Sequence, residues 1–158
     1  MADQQYVVGL GTDDAGVHLR DAIKQLLQDD PRVAEVRDFG VPETDDDTPY
    51  PTICFEVAEA VARGELDRAV LFGGTGLGEA IAANKVRGVR AAVATDPYSI
   101  ERSILSNNCQ VLCLGERVVA PEAAGSIVEQ WLGWTFEPND RSSPKLALID
   151  DYEERTGR

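Results

Sequence analysis

Hydrophobic positions along the chain fall into short runs that alternate with stretches of helical period. Tyr6–Gly11 (YVVGLG), Val33–Phe39, Ala69–Phe72 (AVLF), Val89–Ala94 (VRAAVA) and Val111–Leu114 (VLCL) are the short runs. Runs of this length between polar or turn residues predict strands. From Val17 the pattern turns helical, with Leu19, Ile23, Leu26 and Leu27 on one face, and Pro31 ends it. A polar loop, Pro42–Pro51, carries Asp45, Asp46 and Asp47. Ile53, Val57, Ala60 and Val61 mark a second helix that stops near Gly64. Further helices are predicted after the glycine run at Gly73, from Asp96-Pro97 to Arg102, and over Pro121–Trp134. A last apolar-spotted segment runs to Glu154.

Five strands alternating with helices predict an α/β fold. The expected form is an open, doubly wound, Rossmann-like parallel sheet of five strands with helices on both faces and a helix at the C-terminus. Positions 1–158 read as one domain. In such folds ligands sit beyond the carboxyl ends of the strands. The candidates are therefore Asp13 and Asp14, Gly73–Glu79, Thr95 and Asp96, and Gly115–Arg117.

Charge narrows the ligand class. Asp and Glu number 28 against 15 Lys and Arg, a net charge of −13. That field repels nucleic acid and anionic lipid, so neither is an expected partner. It also repels phosphorylated metabolites, so a phosphate site would need cations gathered locally. No run approaches the ~18 apolar residues of a membrane span. The start, MADQQYVVGL, has no basic region before an apolar run, so the cytoplasm is the expected location. The three cysteines, Cys54, Cys109 and Cys113, have no framework spacing and read as reduced thiols. Cys109 and Cys113 are expected to face a core. With one histidine, His18, and scattered cysteines, a metal-dependent hydride-shift site is hard to build, although carboxylate-only sites stay open, and no cofactor is expected.

Gly73-Gly74-Thr75-Gly76-Leu77-Gly78-Glu79 is the richest motif, at a strand-to-helix turn. Glycine permits positive φ and close approach of a ligand to the backbone. The helix that follows begins with free N–H groups, which favour an anion. No Gly-Lys-Ser/Thr follows, so it is not a P-loop. It follows the third strand rather than the first, so it is a poor dinucleotide fingerprint. A tight turn without a ligand is the alternative. Asp13 and Asp14 resemble the acidic pair of a receiver domain. However, the acceptor Asp and the Lys that such a domain needs are replaced by Gly73-Gly74 and Gly115-Glu116-Arg117. Arg141 and Lys145, four apart, would share a helix face.

Taken together, the chain resembles the ribose-5-phosphate isomerase B and galactose-6-phosphate isomerase family, from Tyr6 to about Tyr152. The resemblance rests on D-x-A-G at Asp13–Gly16, Tyr50-Pro51, GGTGLGEAIAANKV at Gly73–Val86, Arg90–Ala92, Asp96-Pro97-Tyr98, Ser106-Asn107-Asn108, and L-G-x-R at Leu114–Arg117. It implies aldose–ketose isomerisation of a phosphosugar through a cis-enediolate, without a metal. It also implies a site shared between the subunits of a homodimer, with a dimer of dimers compatible.

Many members carry a cysteine base where this chain has Gly73. Another branch has glycine there and uses a glutamate, which Glu79 matches. The competing role for Glu79 is support of its own helix. Its position in the first turn is expected to keep it ionised near neutrality. Thr75 matches a hydroxyl beside the substrate oxygens. Gly74, Gly76, Leu77 and Gly78 would offer backbone contacts, and Asp13, Asp14, Tyr50, Ser106 and Asn107 would contact the sugar. Arg117, Arg141 and Lys145 map to the phosphate site. Two departures stand out. Asp14 replaces a histidine, and Ser106 replaces the histidine associated with opening a furanose ring. A tetrose or tetrulose 4-phosphate cannot close that ring, so the loss fits a four-carbon substrate such as erythrulose 4-phosphate. Ribose 5-phosphate isomerisation and a non-catalytic sugar-phosphate-binding subunit are the alternatives.

Overall fold

A computed structural model describes residues 5–158. Five strands form one parallel sheet: β1 (Tyr6–Thr12), β2 (Val33–Asp38), β3 (Arg68–Gly73), β4 (Ala91–Val93) and β5 (Val111–Gly115). Their order across the sheet is β2-β1-β3-β5-β4. Six helices accompany them: α1 (Val17–Asp29), α2 (Tyr50–Ala62), α3 (Leu77–Ala83), α4 (Pro97–Leu105), α5 (Pro121–Gly133) and α6 (Ser143–Thr156). The expected α/β fold with a C-terminal helix is what the chain adopts. Among the described residues, no helix is long and apolar enough to cross a membrane.

Alternate residues of the central strands serve opposite faces. Val8, Leu10, Val70, Phe72, Leu112 and Leu114 pack with apolar side chains of α1, α4 and α5. Ala69, Leu71, Val111 and Cys113 pack with those of α2 and α3 on the other face. Burial on both sides explains why these strands read as continuous apolar runs. Cys109 and Cys113 are buried, as expected, and so is Cys54. β4 is an edge strand and is shorter than the Val89–Ala94 run from which it was read. All three of its residues pair with β5. The Asp96 side chain caps α4 by accepting from the Ser99 N–H at 2.9 Å, and the helix continues past Arg102 to Leu105.

β3 carries one charged residue into the interior. Arg68 opens the strand, and its Nη1 donates to the Trp131 carbonyl at 2.6 Å. Nη2 donates to the Trp134 carbonyl. The guanidinium also lies 4.5 Å from the Tyr6 ring centroid and 5.0 Å from that of Trp131. Carbonyls at a helix end lack intrahelical partners, so Arg68 both finds acceptors and fixes where the chain leaves α5.

Candidate active site

The strand order reverses between β1 and β3, with β2 on one side and β5 and β4 on the other. In folds of this kind ligands sit at that switch point, beyond the carboxyl ends of the strands. Asp13 follows β1 and Gly74 follows β3, with Thr12 and Phe72 paired just below them. β5 delivers Glu116 and Arg117 alongside. The Glu116 N–H donates to the Gly73 carbonyl at 2.9 Å and the Arg117 N–H to the Gly74 carbonyl at 3.1 Å. The Glu116 carboxylate accepts from the Leu19 N–H at 2.8 Å, which ties α1 to the same edge.

The glycine loop is built on contacts that side chains would block. Gly76 adopts φ +80°, in the left-handed region, and a Cβ there would lie 3.0 Å from the Leu114 backbone. A Cβ at Gly115 would meet the Thr75 backbone at 2.5 Å. The Tyr50 ring lies against Gly78, with Cζ 2.7 Å from where a Cβ would be. Thr75 is exposed at the tip, and its Oγ1 accepts from the Leu77 N–H at 3.3 Å.

Gly73 has a different neighbour. A Cβ on it would lie 1.8 Å from Oε1 of Glu79. The carboxylate thus occupies the place that a side chain at residue 73 would take. Glu79 is only 4% exposed. Burial pushes its pKa above the ordinary 4.5, and nearby Asp13 adds to the shift, while its own backbone N–H opposes it. Desolvation thus outweighs the favourable first-turn position in setting the direction of the shift. Asp13 is itself raised, first by burial; Asp14 adds to this, while the Ala15 N–H and Arg117 pull the other way. Asp13, Glu79 and Arg117 thus form one electrostatic group, with Asp14 exposed at its margin.

The remaining predicted residues lie elsewhere. Ser106, Asn107, Arg141 and Lys145 line an open groove of about 850 Å³ between α4, the segment after α5, and α6. α4 ends there and the chain then enters β5, so this groove sits at the amino edge of the sheet. The length of β5, ~13 Å at strand rise, separates it from the Glu79 edge. Arg141 lies in the turn before α6 rather than on the helix face with Lys145, although both reach the groove. The predicted residues therefore fall into two separate groups on the chain.

Sequence reasoning missed several neighbours. Cys54 on α2 is pushed up to about 12 by burial, with Glu79 and Asp13 adding to the shift. This places a neutral thiol beside the carboxylates. Arg102 lines the groove with Ser106 and Asn107. Its position four residues before Ser106 was the available signal. Among the described residues, no three His, Cys, Asp or Glu side chains cluster as a metal-binding group.

A parallel α/β sheet with a glycine loop and a buried carboxylate at its switch point places the chain in the class of doubly wound proteins whose ligands sit at the strand ends. Residues 8–149 match the Ribose/Galactose Isomerase family, and the chain belongs to it. It is 54% identical over 144 residues to D-erythrulose-4-phosphate isomerase 2 of Mycolicibacterium smegmatis, covering 91% of this chain and 95% of that one. It is 40% identical to ribose-5-phosphate isomerase B of Escherichia coli over 94% and 97% of the two chains. The solved ribose-5-phosphate isomerase B of Clostridium thermocellum superposes with a TM-score of 0.88 at 40% identity, covering 94% of this chain and 98% of that one.

Two predictions follow from Glu79. Gly73→Ala must drive the carboxylate from its seat, since the added methyl would lie 1.8 Å from Oε1. A misplacement near 1 Å costs about 100-fold in rate. Isomerase assays should show that loss, with the circular dichroism spectrum unchanged. The second concerns stability. A raised folded pKa means that the native state holds this proton more tightly than the unfolded chain does. The stability so gained is full below pH 4.5 and is lost as pH rises through the folded value. Glu79→Gln should therefore melt increasingly above the wild type as pH rises from 4.5. Thermal denaturation from pH 4 to 8 reads this, and a constant difference across the range would contradict it.

Proposed function

We propose that the protein interconverts a ketose and an aldose phosphate, with erythrulose 4-phosphate and erythrose 4-phosphate as the substrate pair and Glu79 as the base. The observation that carries this reading is the Glu79 carboxylate lying in the side-chain space of Gly73, where many family members carry a cysteine base. In the forward direction Glu79 takes a proton from C1 of the ketose, and the electron pair left on C1 forms the C1–C2 double bond of an enediolate. Glu79 then returns the proton to C2. The O1 hydroxyl loses its proton and O2 gains one, with Thr75 relaying it. Backbone N–H groups of Gly74–Gly78 stabilise the developing oxyanion. A carboxyl raised by burial is suited to giving and taking a proton near neutral pH. Asp13, Asp14 and Tyr50 surround the sugar hydroxyls.

The four-carbon substrate is favoured by Ser106, which without a partner base is a poor catalyst of ring opening. Similarity to the Mycolicibacterium smegmatis erythrulose phosphate isomerase points the same way. The reaction as written needs no metal or cofactor from the protein. Three buried free thiols fit a reducing, cytoplasmic setting.

The split between the two groups supports an active site made by two copies. Glu79, Thr75 and Arg117 of one copy would face Asn107, Arg141 and Lys145 of the other, with the cations holding the phosphate. A two-fold pairing brings unlike edges together twice and so makes two equivalent sites.

Rates should be measured with purified protein on D-erythrulose 4-phosphate and ribose 5-phosphate, in EDTA. A higher kcat/KM for the tetrulose phosphate is expected, and Glu79→Gln should lower kcat by about 10²–10⁴-fold. A preference for ribose 5-phosphate would move the substrate to the pentose phosphates. Binding without turnover by the wild type would make the chain a binding subunit. Shared sites have their own test. Glu79→Gln and Arg141→Ala chains, each inactive alone, should regain about a quarter of wild-type activity when unfolded and refolded together, because mixed pairs hold one intact site. No recovery would place each site within one chain.

A further inference from the structure

We propose that Arg102 is a third cation for the substrate phosphate, alongside Arg141 and Lys145. The inference rests on the sugar-phosphate reading of the site above. The groove at the amino edge of the sheet is lined by three cations, Arg102, Arg141 and Lys145, against the single carboxylate of Glu137. In a chain of net charge −13 such a local excess is the physical mark of an anion site.

Arg102 is placed for this by α4. Its side chain is 35% exposed, within reach of a ligand in the groove. Its guanidinium lies 5.9 Å from the Tyr98 ring centroid. Its backbone carbonyl accepts from Asn107 Nδ2 at 3.0 Å, so the same residue orients a second lining side chain.

The fork of donors is underused within the protein. Nε is buried without an acceptor. Nη1 reaches Ser106 Oγ only at 3.4 Å, near the outer limit of a hydrogen bond. The remaining partner is Glu101, its neighbour in sequence, itself about a third exposed. An ion pair of that kind contributes little, so exchanging Glu101 for a phosphate oxygen is cheap. Guanidinium donors match a phosphate in a two-pronged geometry that a lysine cannot reproduce. A serine at 106 leaves the guanidinium as the longer donor at this end of α4.

The test uses Arg102→Leu and Arg102→Lys. Arg63→Leu serves as a control for net charge, because Arg63 lies at the end of α2 with exposed carboxylate partners. Inorganic phosphate binding is measured by calorimetry at fixed ionic strength, together with KM and kcat on the preferred sugar phosphate. Arg102→Leu should weaken phosphate binding and raise KM by tenfold or more, with kcat within threefold. Arg102→Lys should recover part of both, and Arg63→Leu should match wild type. Unchanged phosphate affinity and KM in Arg102→Leu would overturn the assignment, as would an equal loss in Arg63→Leu. If the wild type turns over no sugar phosphate, the isomerase reading fails on its own. The phosphate titration still decides the role of Arg102.

Discussion

Glu79 can sit beneath the glycine loop only because residue 73 has no side chain. The two positions share one volume, and the carboxylate fills it. Everything at this edge of the sheet accommodates that arrangement. β3 ends on the glycine, β5 runs alongside, Glu116 and Arg117 just after it give their N–H groups to the Gly73 and Gly74 carbonyls, and Gly76 turns with positive φ against the Leu114 backbone. The buried acid is costly to ionise, and Asp13 adds to that cost. An acid held in this way keeps its proton more readily than a solvated one, which is the property a residue needs if it is to carry a proton between adjacent carbons.

The sheet also explains why the groove cations lie away from this edge. Parallel strands put all their carboxyl ends on one side, and the crossover helices return the chain to the other. α4 therefore leaves Ser106 and Asn107 at the amino edge, and Arg141 and Lys145 gather beside them. The carboxyl edge carries Asp13, Asp14 and Glu79 with Arg117, while the amino-edge groove carries an excess of positive charge. The two edges thus differ in charge, and the proposed two-copy site would bring them together.

Much of the fold was legible because burial on both faces leaves a plain trace. AVLF and VLCL are apolar without interruption, and they are the strands β3 and β5 at the centre of the sheet. β4 was legible in place but not in length, because VRAAVA is an edge segment with a partner on one side only. The glycine run and Glu79 could be read together, since four glycines within six residues exceed the needs of one turn. The seat of the carboxylate on Gly73 could not be read, because it is a contact in space that leaves no periodicity. The upward shift of the Glu79 pKa could not be read for the same reason. First-turn position is visible in a string of letters, whereas desolvation is not. Arg141 and Lys145 suggested a shared helix face by spacing, yet the Ser142-Ser143-Pro144 turn starts the helix after Arg141, and the groove rather than the helix brings them together.

The clamp made by Arg68 bears on both edges at once. Arg68 and Gly73 are the first and last residues of the same strand. One end grips the carbonyls of Trp131 and Trp134, from which the chain runs on to Arg141. The other end seats Glu79. β3 thus acts as a ruler of fixed length between the two groups, embedded in the centre of the sheet where it cannot stretch. In the proposed symmetric pair this strand would join Glu79 of one site to the groove cations of the other. A change that shifts this ruler would move both proposed sites together, and such a pair would have no means of keeping one in register while the other drifts.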